Sequence, residues 1–167
     1  FIPLNVVWLL FLSKSSKAFS FESSLIDGMI QLQDYENILV AGADEVTEKL
    51  YKIRSNNGWW KKGDFKPLDL LNSKTTGTYF GEGAASFILS ANKTDSSYCK
   101  LSSCNIFFNE DPQEKINTIL AEQDLSANDI DCVIYGINGD NRYDQAYYSI
   151  AENIFHNSAS CYYKHLT

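Results

Sequence analysis

Four cysteines and two histidines are the residues of this chain whose chemistry is most readily recognised. The cysteines stand at positions 99, 104, 132 and 161, and no pair has the Cys-x-x-Cys spacing typical of a zinc or redox site. Cys132 lies inside an apolar run, so we interpret the four as reduced thiols and expect a reducing cytoplasm. The sequence therefore predicts no metal site.

A polar loop after an apolar strand is the second place where chemistry is expected. Residues 132–135 (CVIY) are typical of a buried strand, and residues 136–141 (GINGDN) follow it with two glycines and several amide or carboxyl side chains. A polar, glycine-bearing loop at the carboxyl end of a parallel strand is where α/β proteins place their sites. We therefore expect a site in this loop.

Two further motifs could contact a ligand or simply pack. In residues 77–90 (GTYFGEGAASFILS), glycine and alanine residues directly precede a strand predicted at 86–89. Such small residues let either another backbone segment or a ligand approach closely. The Gly-Glu-Gly within this stretch is not a phosphate loop, because it lacks a third glycine and precedes a strand. Trp59 and Trp60 could stack on a ligand, although an aromatic pair that closes a loop over the core is the simpler interpretation.

The element that must position these motifs is a helix followed by an apolar strand. Leu25, Met29 and Leu32 recur at helical spacing, and the polar residues 33–36 end that helix. Residues 38–43 (ILVAGA) contain nothing polar, which predicts a strand buried on both faces. A helix that leads into such a strand is typical of a layered α/β domain with parallel strands.

The rest of the chain repeats this alternation of helices and strands. A second helix is expected to begin within residues 44–48, where acidic side chains suit the helix dipole, and to end at 56–58. Pro112 predicts the start of another helix. The remaining predictions are a loop at 59–78, a strand within 99–108, a turn at 126–130, a helix at 143–155 and a strand at 159–163.

Composition excludes some function classes. The 167 residues carry a formal net charge of −7, and the basic residues look scattered apart from Lys61-Lys62, which argues against nucleic acid as a partner. The apolar run at 6–12 is too short to span a bilayer and lacks the flanks of a secretory signal, so we expect a buried helix or strand there. Because the chain begins at Phe1 rather than Met, we interpret it as a fragment of a longer protein.

Two of these stretches together resemble the β-ketoacyl synthase family of condensing enzymes, which has the thiolase fold. Residues 38–45 (ILVAGADE), with the helix before them, are similar to the strand that follows the nucleophile helix in that family. Residues 81–89 (GEGAASFIL) are close to its glycine signature, and residues 133–144 and 163–167 resemble segments near its two active-site histidines. The phrase AFSFESSLIDGMIQL is similar more narrowly to divergent synthase-like proteins of aryl-polyene and flexirubin-type pigment pathways.

This resemblance covers about residues 18–167 and implies a fold and partners. The fold would be a thiolase-like layered α/β/α fold that is incomplete, with residues 18–93 ending the first half and residues 94–167 starting the second. Residues 1–17 form an apolar N-terminal segment outside the resemblance. The implied partners are an acyl carrier protein, whose phosphopantetheine delivers acyl groups without a further cofactor, and a ketosynthase in a homo- or heterodimer.

The departures from the family pattern concern its catalytic residues. Active members attack a thioester with a cysteine at the start of the first helix, and two histidines assist the condensation. In this chain Ser20 is the only hydroxyl at that helix start, and Gly136 stands where the first histidine would be. Neither His156 nor His165 falls on a family histidine position. We therefore assign no catalytic residue to this chain.

The resemblance does imply substrate-binding residues. Phe19, Ser20 and Phe21 would lie near an acyl pocket, with Gly136 and Asn138 opposite them. The alternative is that both phenylalanines fill the core.

Two functions from different classes remain. The first is a catalytically active 3-oxoacyl-carrier-protein synthase, an acyltransferase that joins acyl and malonyl thioesters with loss of carbon dioxide. The second, which the missing cysteine and histidine favour, is a non-catalytic subunit of the chain-length-factor kind that pairs with an active synthase. A non-functional fragment is the third interpretation.

Overall fold

The computed structural model describes residues 6–9, 21–63, 66–72, 74–105 and 110–161. Its elements in chain order are β1 (Val6–Leu9), α1 (Phe21–Gln31), β2 (Asn37–Asp44), α2 (Glu48–Asn56), β3 (Gly83–Ser90), α3 (Pro112–Glu122), β4 (Cys132–Tyr135), α4 (Asn141–Asn153) and β5 (Ala159–Cys161). Short 3₁₀ helices occupy Pro67–Asn72 and Ala127–Asp129. The elements fall into two compact units, one with β1, α2, α3, β4, α4 and β5 and the other with α1, β2 and β3.

A parallel sheet organises the first unit. Its strand order is β1-β4-β5, so β4 lies in the centre, with Val133 opposite Val7 on one side and Ser160 on the other. Val133 and Tyr135 are fully buried, whereas the alternate residues Cys132 and Ile134 are only half-buried. The predicted strand at 132–135 is confirmed, but its burial is confined to one face.

The core of this unit lies on the buried face of β4, between that strand and two helices. Tyr135 of β4 and Tyr147 of α4 pack edge to face, with ring centroids 6.3 Å apart. The buried cluster consists of Ile116, Leu120, Ile130, Val133, Tyr135, Ile137, Tyr147, Ile150 and Phe155. Because the cluster includes Ile137, two residues after the end of β4, the core anchors the loop that follows this strand.

Capping residues explain where the helices of this unit begin. The Asp111 carboxylate accepts hydrogen bonds at 2.9 Å from the backbone N–H groups of Gln113 and Glu114, and Pro112 takes the first helical position. Thr47 caps α2 by accepting from the N–H of Leu50 at 3.3 Å. The helix starts predicted near 44–48 and at Pro112 are therefore confirmed, while α4 begins two residues before the predicted 143.

The second unit is a two-stranded ribbon with one helix. β2 and β3 are antiparallel, with Val40 opposite Phe87. α1 packs on the face that contains Val40, and the buried Gly28 of α1 lies against the buried Val40. On the other face Leu39 is 68% exposed and Ile88 is 71% exposed. The prediction that residues 38–43 are buried on both faces among parallel strands is therefore wrong, since an apolar run does not specify what covers its second face.

The mixed α/β class predicted from the sequence is confirmed, but not every predicted element is. Residues 97–105 have no regular secondary structure, so the strand predicted within 99–108 is wrong where the structure describes it, and 106–109 lie outside the described residues. The apolar run at 6–12 contains β1. None of the helices within the described ranges is long and apolar enough to cross a membrane.

Candidate functional site

The loop of residues 136–140 joins the carboxyl end of β4 to the start of α4. Gly136, Ile137, Gly139 and Asp140 are buried, and Asn138 is half-buried. The Asn138 side-chain oxygen accepts a hydrogen bond from the backbone N–H of Asp140 at 3.0 Å, which closes a tight turn. The loop is therefore held by the packing of Ile137 in the core and by the hydrogen bond that the Asn138 side chain accepts.

Asp140 connects this loop to α4 and to Gly77 in an earlier segment of the chain. Its carboxylate caps α4 by accepting from the N–H of Arg142 at 3.1 Å, and the Arg142 guanidinium donates to it at 2.5 to 3.1 Å. Burial alone would raise the pKa of Asp140, but the hydrogen bonds from Arg142 and from the N–H of Gly77 outweigh it and hold that pKa below its usual value. Asp140 is therefore an ionised structural carboxylate.

Asp144, one turn into α4, binds the same loop from the helix side. Its Oδ1 accepts from the backbone N–H of Asn138 at 2.9 Å, and the residue is 4% exposed. Burial raises the pKa of this carboxyl, although the N–H groups of Asn138 and Gly139 and the charge of Lys61 oppose the rise. Asp140 in the loop and Asp144 in α4 are thus two neighbouring carboxyl groups whose environments shift their pKa values in opposite directions.

Lys61 provides the positive charge beside these carboxyl groups. It is 2% exposed, and its Nζ donates to the carbonyl oxygens of Thr75, Gly77 and Gly139 at 3.2, 3.0 and 2.8 Å. Burial lowers the pKa of this ammonium, and the negative charges of Asp140 and Asp144 oppose that effect. The ammonium therefore joins residues 75–77 to the loop after β4.

Two of the three carbonyl-bearing residues must be glycine. Gly77 and Gly139 have φ angles of +82° and +76°, in the left-handed region that other residues rarely adopt. A Cβ on Gly77 would lie 2.9 Å from the carbonyl carbon of Trp60, and a Cβ on Gly139 would lie 2.7 Å from the carbonyl oxygen of Leu70. The backbone can turn its carbonyls toward Lys61 only because these positions lack a side chain.

A shallow cleft of about 410 Å³ opens next to Asp144. Its lining residues are Leu71, Asn72, Lys74, Asn141, Asp144, Gln145 and Tyr148. The cleft is fixed where residues 74 and 75 meet α4, because the Asn141 side chain donates to the carbonyl of Lys74 at 2.8 Å. Asp144 is the carboxyl group among these lining residues, and burial raises its pKa.

The structure places only part of the predicted substrate-binding set. Gly136 and Asn138 lie in the loop described above, Gly136 buried at its start and Asn138 at its centre. Phe21 is the first residue of α1, but its side chain, like all of Phe19 and Ser20, lies outside the described residues. The predicted acyl pocket therefore stays a prediction.

The cysteines and the described histidine do not join the loop. Cys132 is half-buried in β4, where burial first and then Cys161 and Asp131 raise the pKa of its thiol, which keeps it protonated and a poor nucleophile. The four cysteines are free thiols, and Cys99 and Cys161 are exposed. His156 is exposed in the turn after α4, and His165 lies outside the described residues. Within the described ranges, no group of three or more His, Cys, Asp or Glu residues could hold a metal ion.

Sequence reasoning missed the central part that Lys61 takes in this site. The doublet Lys61-Lys62 beside two tryptophans was the visible signal, but it does not say which lysine is buried. The structure separates them: Lys61 is 2% exposed and Lys62 is exposed. Trp60 packs against Tyr51, Tyr79 and Phe80, with ring centroids 4.9, 6.1 and 5.7 Å away, so its ring makes aromatic contacts within the chain.

Comparisons of this chain with protein-family models, with curated proteins and with solved structures find no match.

Proposed function

We propose that this chain belongs to a β-ketoacyl synthase-like protein of fatty-acid or polyene biosynthesis that acts as a non-catalytic partner of an active synthase. In this proposal the chain adopts part of a thiolase-like fold and helps shape the acyl pocket of a dimer. Acyl groups arrive on the phosphopantetheine of an acyl carrier protein. The proposal rests on the resemblance of residues 18–167 and on the construction of one loop.

The observation that carries the proposal is the loop of residues 136–140. Gly136, at the position that the resemblance matches to a catalytic histidine, is buried and has no side chain to move a proton. The polar groups around it bind the protein itself: Asn138 accepts from Asp140, and Asp144 accepts from Asn138. A loop built in this way supports the wall of a pocket rather than acid–base chemistry on a thioester.

A concentration of positive charge supports the carrier protein as a partner. Residues 49–66 contain six of the fourteen basic residues of a chain whose net charge is −7, which corrects our expectation that they are scattered. The six are Lys49, Lys52, Arg54, Lys61, Lys62 and Lys66. Lys49, Lys62 and Lys66 are exposed, so this segment can attract a partner with an acidic surface.

A condensation assay tests the proposal. The protein is given acyl- and malonyl-loaded carrier protein, first alone and then with candidate synthases from the same pathway. We expect product only when a synthase is present, with a chain length that changes when the protein is added. Product from the protein alone would establish the active-synthase alternative, and no change under any combination would favour the non-functional fragment.

Charge reversal tests the carrier protein as a partner separately. We expect Lys49→Glu with Lys62→Glu to raise the Kd for the carrier protein, and the loss to shrink as salt screens the charges. Lys93→Glu with Lys100→Glu is the matched control, because both of these lysines are also exposed but lie outside the basic segment. An equal rise in Kd for both pairs would refute a specific basic docking surface.

A further inference from the structure

The surroundings of the Lys61 ammonium are those of a bound cation. Its Nζ donates to three backbone carbonyl oxygens, those of Thr75, Gly77 and Gly139, at 2.8 to 3.2 Å. The carboxyl groups of Asp140 and Asp144 act on it through their charge. Convergent backbone carbonyls that replace water around a small cation are how proteins bind potassium.

The carbonyls are oriented by the chain and not by the lysine stem. Gly77 and Gly139 turn their backbones through positive φ angles of +82° and +76°. The N–H of Gly77 binds the Asp140 carboxylate, and the N–H of Asn141 donates to the carbonyl of Thr75 at 3.4 Å. Since the N–H of Gly139 also binds the Asp144 carboxylate, both carbonyl-bearing segments are held by bonds that do not involve Lys61, which leaves the three oxygens preorganised around one point.

We propose that the carbonyl oxygens of Thr75, Gly77 and Gly139 form a binding site for a monovalent cation, and that the Lys61 ammonium is its built-in occupant. The charge at this point, rather than the hydrocarbon stem of the lysine, holds residues 75–77 against the loop after β4. A chain that lacks the ammonium therefore binds a free cation of similar size, such as potassium, ammonium or an alkylammonium ion. This proposal does not depend on the proposed function.

Removal of the side chain tests the site by chemical rescue. Lys61→Ala is unfolded thermally in potassium, ammonium or propylammonium chloride, and in lithium or tetramethylammonium chloride at the same ionic strength. We expect its Tm to lie below that of the wild type and to rise selectively with the first three ions, with the dependence on concentration of a single binding site. The wild type should show no such selectivity, because its site is filled.

Lys61→Met is the matched control, since it keeps most of the stem and removes the charge. We expect a lowered Tm that none of the ions restores, because the thioether side chain occupies the position of the cation. A Lys61→Met protein as stable as the wild type would overturn the proposal, since the stem alone would then suffice. A Lys61→Ala protein that responds equally to all five salts would overturn it as well.

A measurement on the wild type keeps the proposal testable if Lys61→Ala does not fold. In protein labelled on the lysine side-chain nitrogens, an ammonium held by three carbonyls exchanges its protons slowly with water and gives a persistent N–H resonance near neutral pH. We expect one such resonance, and we expect it to disappear in Lys61→Met. A wild-type spectrum without a protected ammonium resonance would overturn the proposal.

Discussion

The replacement Gly139→Ala tests how rigidly the loop after β4 is held. A Cβ at this position would lie 2.7 Å from the carbonyl oxygen of Leu70 and 2.8 Å from its side-chain carbons. Leu70 is 5% exposed within a 3₁₀ helix, so its backbone cannot move away without disturbing the packing around it. The substitution therefore combines a backbone penalty with a steric one.

A matched control separates these two penalties. Gly58 has a similar φ angle of +68°, but a Cβ there would meet nothing within 4 Å. We expect Gly58→Ala to lower the free energy of unfolding by about 1–2 kcal/mol, the cost of a left-handed conformation for a residue with a Cβ. Gly139→Ala adds about 1–3 kcal/mol for the overlap with Leu70, so its loss should reach about 2–5 kcal/mol.

Urea unfolding of the wild type and the two variants measures the difference. The loss for Gly139→Ala should exceed that for Gly58→Ala by at least about 1 kcal/mol, with an unchanged dependence on urea concentration. Equal losses would show that the segment containing Leu70 yields to the added methyl group. The rigid construction of the loop inferred from Lys61, Asp140 and Asp144 would then be wrong.

Three further predictions concern the first compact unit. Asp140→Ala should lower the free energy of unfolding in urea more than Asp111→Ala does. Both variants lose a helix cap worth about 1 kcal/mol, but only Asp140→Ala also loses a partly buried ion pair. Equal losses would contradict this prediction. Burial raises the folded-state pKa of Asp144, so protonation of this carboxyl stabilises the folded state. This stabilisation is complete below 3.8, the pKa of Asp144 in the unfolded chain, and is lost as pH rises through the raised folded-state pKa. The unfolding free energy of the wild type minus that of Asp144→Asn should therefore fall as pH rises above 3.8, and a constant difference would argue against the raised pKa. Ile150 is 1% exposed, so Ile150→Ala should lower the free energy of unfolding by about 2–5 kcal/mol in chemical denaturation. Ile53 is 44% exposed, so Ile53→Ala should lower it far less. Similar losses would count against the core described above.

Local patterns in the sequence predicted most of the helices and the central strand. Pro112 after a capping aspartate, the apolar run at 132–135 and the helical spacing of Leu25 and Met29 each reflect interactions between residues close in the chain. Within residues 99–105, which the structure describes, the predicted strand is absent, because a short alternation of polar and apolar residues forms a strand only when a partner strand is available. For 38–43 the strand was right and its burial was wrong, since burial depends on distant residues.

In the candidate site, too, the sequence predicted local features, whereas contacts between distant residues decided the rest. The sequence by itself determined that a polar loop with two glycines follows an apolar strand, because glycine and amide residues after an apolar run end a strand. It did not determine that Lys61 would be buried against Gly77 and Gly139, or that Asp140 and Asp144 would differ in pKa. Those properties arise from hydrogen bonds and desolvation between segments distant in sequence, and only the tertiary structure brings those segments together.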